Sequence, residues 1–118
     1  MRNIKNHTRV SVIRSKFKKS IDGTCRLYSP LQKKFAELLD ADENVASFET
    51  NVVVEGLDGD EIYTTDFVVN YKNETTKVWE CVFRRHITKP KTMRMLSLSK
   101  NYWTKKGCQW GLVTEVTE

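Results

Sequence analysis

The order of apolar and polar positions along the chain resolves into helix, three strands, helix, strand. Ser29-Pro30-Leu31-Gln32 opens the first helix, with Ser as N-cap, Pro at the first helical position and Gln three residues after the cap completing a capping box. Leu31, Phe35, Leu38 and Leu39 follow at helical spacing, which predicts an amphipathic helix ending near Asp40. After the polar Ala41-Asp42-Glu43-Asn44, the stretch Val45 to Glu55, with Phe48 and Val52-Val53-Val54, predicts a strand. Gly56 to Asp60 then predicts a turn, Glu61 to Tyr71 a second strand, Asn73 to Thr76 another turn, and Lys77 to Arg85 a third strand. The three strands read as an antiparallel meander. From Pro90 to Lys106, Met95, Leu98 and Tyr102, flanked by Leu96 and Trp103, mark one face of a second helix, with Gly107 just past its end. Gln109 to Glu115 predicts a last strand.

The chain has 118 residues, 39% of them hydrophobic and 30% charged, which fits one small globular domain with a single core. It contains no run of about 18 apolar residues and no apolar signal-peptide segment near its start. A cytoplasmic protein without a membrane partner is therefore expected. Cys25, Cys81 and Cys108 form no C-x-x-C pair, and His7 and His86 add no paired ligand spacing. Reduced, mostly buried thiols are expected, with neither a disulfide framework nor a zinc ribbon. The absence of a Gly-rich phosphate loop, a nucleophile elbow and a Cys–His pair at catalytic spacing argues against small-molecule chemistry.

The net charge of +5 hides a segregation. Residues 1–28 hold eight Lys and Arg against Asp22, residues 29–66 hold two Lys against ten acids, and residues 77–106 hold nine basic side chains against Glu80. Dense charge and weak apolar periodicity predict a basic N-terminal arm over residues 1–25, followed by a folded domain over 26–118. In the second basic block, Arg84, Arg85, Lys89, Lys91 and Arg94 fall within eleven residues around a strand-to-helix junction. Such a patch binds double-stranded DNA through counterion release without reading bases.

Two acids stand out in the strands. Asp66 lies where the second strand turns apolar, and Glu80 sits at the centre of the third between Trp79 and Cys81. Strand centres are depleted of Glu, and a lone buried carboxylate is costly. With a three- or five-residue hairpin turn, strand alternation puts Asp66 and Glu80 on the same face, where together they could hold Mg²⁺ or Mn²⁺. The same spacing also fits a plainer arrangement, with Glu80 on an uncovered sheet face and Asp66 capping a turn.

An acid in the second strand, then an acid followed two residues later by a further motif position in the third, resembles the PD-(D/E)XK nucleases. The resemblance implies an α/β, restriction-endonuclease-like fold. More narrowly, the chain resembles TnsA, the endonuclease subunit of heteromeric transposases. The similar segments are Leu27-Tyr28-Ser29-Pro30-Leu31-Gln32, Asn44-Val45-Ala46-Ser47-Phe48-Glu49, Tyr63-Thr64-Thr65-Asp66-Phe67, Tyr102-Trp103-Thr104-Lys105-Lys106-Gly107 and Leu112-Val113-Thr114-Glu115. Relatives of that kind often carry a further C-terminal domain, so the resemblance implies either a minimal version or a fragment.

What the resemblance implies for chemistry is mixed. Asp66 and Glu80 match the metal-binding acids, but Gln32 stands where the family has a helix Glu, and Val82 where it has the motif Lys. That Lys would orient or deprotonate water and offset transition-state charge. Lys72 and Arg84 are the cations that could substitute, both read as sharing the parity of the acids; Arg stabilises charge without acting as a base. One expected function is metal-dependent DNA nicking at mobile-element ends, alongside an integrase-type transposase subunit, by Asp66, Glu80, Gln32, Lys72 and Arg84. The other is a catalytically inactive relative that uses no cofactor and binds DNA or docks on a transposase or another mobile-element or phage protein.

Overall fold

The computed structural model describes residues 2–3, 12–58 and 61–115. Along the chain run β1 (Arg2–Asn3), β2 (Ile13–Lys16), β3 (Thr24–Leu27), α1 (Pro30–Ala41), β4 (Val45–Asp58), β5 (Glu61–Tyr71), β6 (Thr76–Cys81), α2 (Arg84–Ile87), α3 (Pro90–Lys105) and β7 (Gln109–Val113). Strands β4, β5 and β6 form the antiparallel meander, and β7 lies parallel to β6. A parallel neighbour requires a crossover connection, here the stretch containing α2 and α3. Strand β5 is the sheet's hub: β4 pairs along one edge, while β6 and β1 share the other, β6 from Phe67 to Asn70 and β1 at Tyr63 and Thr64.

The start of α1 is built as its sequence requires. The Ser29 hydroxyl accepts from the Gln32 N–H at 3.2 Å, and the Gln32 side-chain oxygen accepts from the Tyr28 N–H at 2.8 Å, one residue before the cap. Of the expected Leu31–Phe35–Leu38–Leu39 stripe, Leu39 is buried and Leu31 and Phe35 pack half-buried against the core, while Leu38 points away from it. Gln32, Ala36 and Leu39 are its buried residues, and Leu38 is 59% exposed. Ala36 carries only a methyl group, too small to hold the helix off the sheet, so the approach centres on it. The resulting core joins Ala36 and Leu39 to Cys25, Leu27, Val45, Phe48, Phe67 and Val69, with Phe35 edge-on to Phe67 at 5.1 Å and to Trp79 at 5.5 Å.

Two strand limits depart from expectation by three residues or more. Strand β4 continues through Gly56 to Asp58, which pairs with Glu61 across a register shift, so strand takes up three of the five positions expected to turn; the other two, 59 and 60, lie outside the described residues. Strand β6 stops at Cys81 rather than Arg85, because its parallel partner ends at Val113, whose carbonyl takes the Val82 N–H at 2.9 Å as the last rung. Residues 84–87 then form α2. At the other end, Gly111 faces Trp79, and a Cβ on it would come within 2.7 Å of the indole, so only glycine leaves the ring room.

Residues 12–25 of the expected basic arm are built into the fold. Residues 1 and 4–11, with His7 among them, lie outside the described residues, but β2 and β3 form a two-stranded antiparallel ribbon whose Cys25 and Leu27 belong to the core. The expected boundary after residue 25 falls inside β3. Cys25 and Cys81 are buried and Cys108 is half-buried, all as free thiols. Among the described residues, no helix is long and apolar enough to cross a membrane.

Candidate active site

The turn between β5 and β6 fixes the relation of the two acids. Asn70 pairs with Thr76 across five intervening residues, and Phe67 pairs with Trp79, so the same register sets Asp66 opposite Glu80. The ladder ends at Phe67–Trp79, and in place of the next rung the strands are bridged by carboxylates. The Asp66 N–H donates to Glu80 Oε1 at 2.9 Å, and the Cys81 N–H donates to Asp66 Oδ2 at 2.8 Å. Asp66 is 2% exposed and Glu80 is fully buried, which excludes the solvent-facing arrangement of Glu80.

Glu80 is held from α3 as well. The Ser99 hydroxyl donates to Glu80 Oε2 at 2.5 Å and accepts from the Trp110 indole N–H at 3.1 Å. Nearby, the Trp103 indole N–H donates to Thr65 Oγ1 at 2.8 Å. Burial, reinforced by the neighbouring Asp66 carboxylate, pushes the Glu80 carboxyl up to about 7. The same two causes raise the Cys81 thiol, which keeps it protonated and unreactive. On the other edge of β5, Asn51 of β4 stands beside Asp66 with a left-handed backbone, φ 53°, a conformation Asn tolerates better than most residues.

Gln32 and Val82 come together in a cavity of about 270 Å³, lined also by Cys81, His86, Thr92 and Met95. Cys81 connects this cavity to the acid pair, since it forms part of the wall and its N–H donates to Asp66. Desolvation and the nearby Lys89 and Arg85 hold the His86 imidazole below its ordinary value, and its Nε2 accepts from Arg85 Nε at 3.2 Å.

The two candidate substitute cations lie elsewhere. Lys72 is exposed in the turn after β5 and lines a separate cavity with Lys77 and Trp79. Six residues of extended chain put it roughly 20 Å from Asp66. Arg84 is not on β6; it opens α2, exposed, with its N–H donating to Glu115 Oε1 at 2.7 Å, a bond that holds the Glu115 carboxyl below its usual range. Arg84, Arg85, Lys89, Lys91 and Arg94 are all exposed, running from α2 into the first turns of α3, with Arg94 also donating to the Tyr63 hydroxyl at 3.4 Å. The sequence reading missed Ser99, Trp110 and the Cys81 N–H. Only Ser99 left a trace, as a hydroxyl three and four residues beyond Leu96 and Met95 on the helix's inner face.

A buried acid pair where the meander parts, a helix on each side of the sheet and a parallel closing strand define a restriction-endonuclease-like domain. The family described as TnsA-like endonuclease N terminal matches residues 41–115, and the chain belongs to it. The match includes Asp66, Glu80, Val82 and the basic α2–α3 segment, while Gln32 and the β2–β3 ribbon precede it. No curated protein matches the chain.

Proposed function

We propose that this protein binds double-stranded DNA and nicks it at the ends of a mobile element by metal-dependent phosphodiester hydrolysis, in concert with an integrase-type transposase subunit. The observation that supports this reading is the buried Asp66–Glu80 pair at the point where β5 and β6 part. Among the described residues, no group of three or more His, Cys, Asp or Glu gathers to hold a metal. Two carboxylates nevertheless suit Mg²⁺ or Mn²⁺, which commonly takes one or two protein carboxylates and completes its shell with water and substrate phosphate. Bound there, such a cation would polarise the phosphodiester and lower the pKa of a water. Among the described residues, each Glu80 oxygen accepts one hydrogen bond, from the Asp66 N–H and from the Ser99 hydroxyl, which leaves a lone pair on each for a cation. Ser99 and the Asp66 N–H fix the direction of that carboxylate, and the exposed α2–α3 cations would attract the DNA backbone.

A second reading, a non-catalytic DNA-binding or docking protein, is favoured by the cavity beside the acids. Val82 is buried and apolar where the motif has Lys, and the Gln32 oxygen is already engaged by the Tyr28 N–H. The experiment that separates the two is nicking of supercoiled plasmid with Mg²⁺ or Mn²⁺, with and without a partner transposase. The first reading expects nicking that is lost in Asp66→Ala and accelerated in Val82→Lys. The second expects no nicking, but salt-sensitive DNA binding that survives Asp66→Ala and weakens when Arg84, Arg85, Lys89 and Lys91 are neutralised. Normal nicking by Asp66→Ala would overturn the first.

A further inference from the structure

The β2–β3 ribbon sorts its side chains by alternation. Cys25 and Leu27 are buried in the core and Ile13 packs against it, while Arg14, Lys16, Thr24 and Arg26 are exposed on the outer face. The register sets Arg14 directly opposite Arg26, and Lys16 opposite Thr24. Directly opposed strand residues have Cα atoms about 5 Å apart, and like charges so placed repel. Among the described residues, no carboxylate forms an ion pair with Arg14, Lys16 or Arg26; the ribbon's own acid, Asp22, lies in its turn, beyond the Lys16 end. Lys19 makes the contrast, because its N–H donates to Asp40 at 3.0 Å and its ammonium donates to the Asp42 carbonyl, both at the end of α1.

The ribbon is also fixed in place. The Ile21 N–H donates to the Phe48 carbonyl at 2.9 Å, and the Phe48 N–H donates to the Lys19 carbonyl at 2.9 Å, which ties the ribbon's turn to β4. At its other end, Asn51 Nδ2 donates to the Arg26 carbonyl at 2.6 Å, and Asn51 stands beside Asp66 in the sheet. Two residues after Arg26, Tyr28 lines the cavity that holds Gln32 and Val82. The cation pair therefore sits on a rigid element that leads directly away from the acid pair.

We infer that the outer face of this ribbon, Arg14, Lys16 and Arg26, is a second DNA-binding surface that grips the phosphate backbone of a duplex engaged at the acid pair. The inference rests on DNA being the ligand. A phosphate backbone is the ligand chemistry that turns an opposed arginine pair from a local cost into an attraction, and a two-stranded ribbon is an element that duplex grooves admit. This surface lies outside the span of the family match and is separate from the α2–α3 cations.

The test is fluorescence anisotropy of a short labelled duplex against the full chain over a KCl series. The variants are Arg14→Gln/Arg26→Gln, Arg14→Lys/Arg26→Lys, and a set neutralising Arg84, Arg85, Lys89 and Lys91. The Gln pair should weaken binding about tenfold or more and reduce the salt slope by about 2, near 0.9 for each lost phosphate contact, while the Lys pair retains most of both. Its thermal midpoint should equal or exceed that of the wild type, because the substitutions remove a repulsion from exposed positions. Unchanged affinity and slope in the Gln pair, with binding still lost in the α2–α3 set, would overturn the ribbon surface alone and leave its cations to an acidic protein. Weakened binding with an unchanged salt slope would overturn it as well. Absence of salt-sensitive binding by the wild type would remove the ribbon surface and the DNA reading together.

Discussion

Towards α1 the sheet presents Phe48, Phe67 and Val69 to Phe35, Ala36 and Leu39, whereas towards α3 it presents Thr65 and Glu80, met by Trp103 and Ser99. The first side is what a small domain needs: apolar surface removed from water, with aromatic rings in edge-on contact. The second buries a carboxylate against a carboxylate and satisfies the pair with backbone N–H groups and the Ser99 hydroxyl, which is itself held by the Trp110 indole. Burial of that kind costs stability, since an apolar replacement of similar shape would avoid both desolvation and repulsion. Residues kept at such a cost mark where function is to be sought.

The contrast can be broken from either side. Phe67→Ala should lose about 3–5 kcal/mol in denaturant unfolding, because the ring is fully buried between α1 and β4. A loss below about 1 kcal/mol would mean that the α1 side is not the stabilising one. Glu80→Gln should do the opposite at pH 8 without metal, gaining about 1–3 kcal/mol while Mn²⁺ binding falls, since the amide keeps hydrogen-bonding capacity and drops the charge. A destabilised Gln variant would show that the charge itself holds β6 to α3.

The pH profile sharpens the same point. Because the folded Glu80 carboxyl is raised to about 7 from an ordinary 4.5, the folded state holds a proton that the unfolded chain has released. Its contribution is fully present below about 4.5, and metal-free stability should fall by about 2–3 kcal/mol as pH rises from there to about 7 and then level off. Subtracting the Glu80→Gln profile should isolate that fall, and parallel profiles would contradict the assignment. The smallest expected effect is Gly111→Ala, at about 1–2 kcal/mol, read as a lower thermal midpoint from the clash with Trp79.

How much of this was legible depended on whether the signal was periodic or three-dimensional. Strand β5 has the bounds expected of it, and α3 ends one residue early, because β-branched and aromatic runs or a Pro-to-Gly bracket mark each. The Asp66–Glu80 pairing followed from two-residue alternation and an odd turn length. The α1 stripe was right at Leu31, Phe35 and Leu39 and wrong at Leu38, because hydrophobicity picks out Leu38 while packing selects the small Ala36. Val82 and Phe83 favour strand, yet β6 ends where β7 can no longer pair with it. Ser99 left only the trace of a hydroxyl on the helix's inner face, which becomes a carboxylate partner only once α3 lies on β6. The alternation of Ile13-Arg14-Ser15-Lys16 and Thr24-Cys25-Arg26-Leu27 was present but masked by the charge that made the segment look like an arm.

The most direct test of the central claim, that the acid pair is a retained metal site, is calorimetric titration of Mn²⁺ into the protein held on a short duplex, with Asp66→Ala alongside. The account predicts binding by the wild type that is lost in the variant. Equal titrations from the two proteins, or no binding by either while DNA stays bound, would contradict it and leave a fold that holds DNA without a metal.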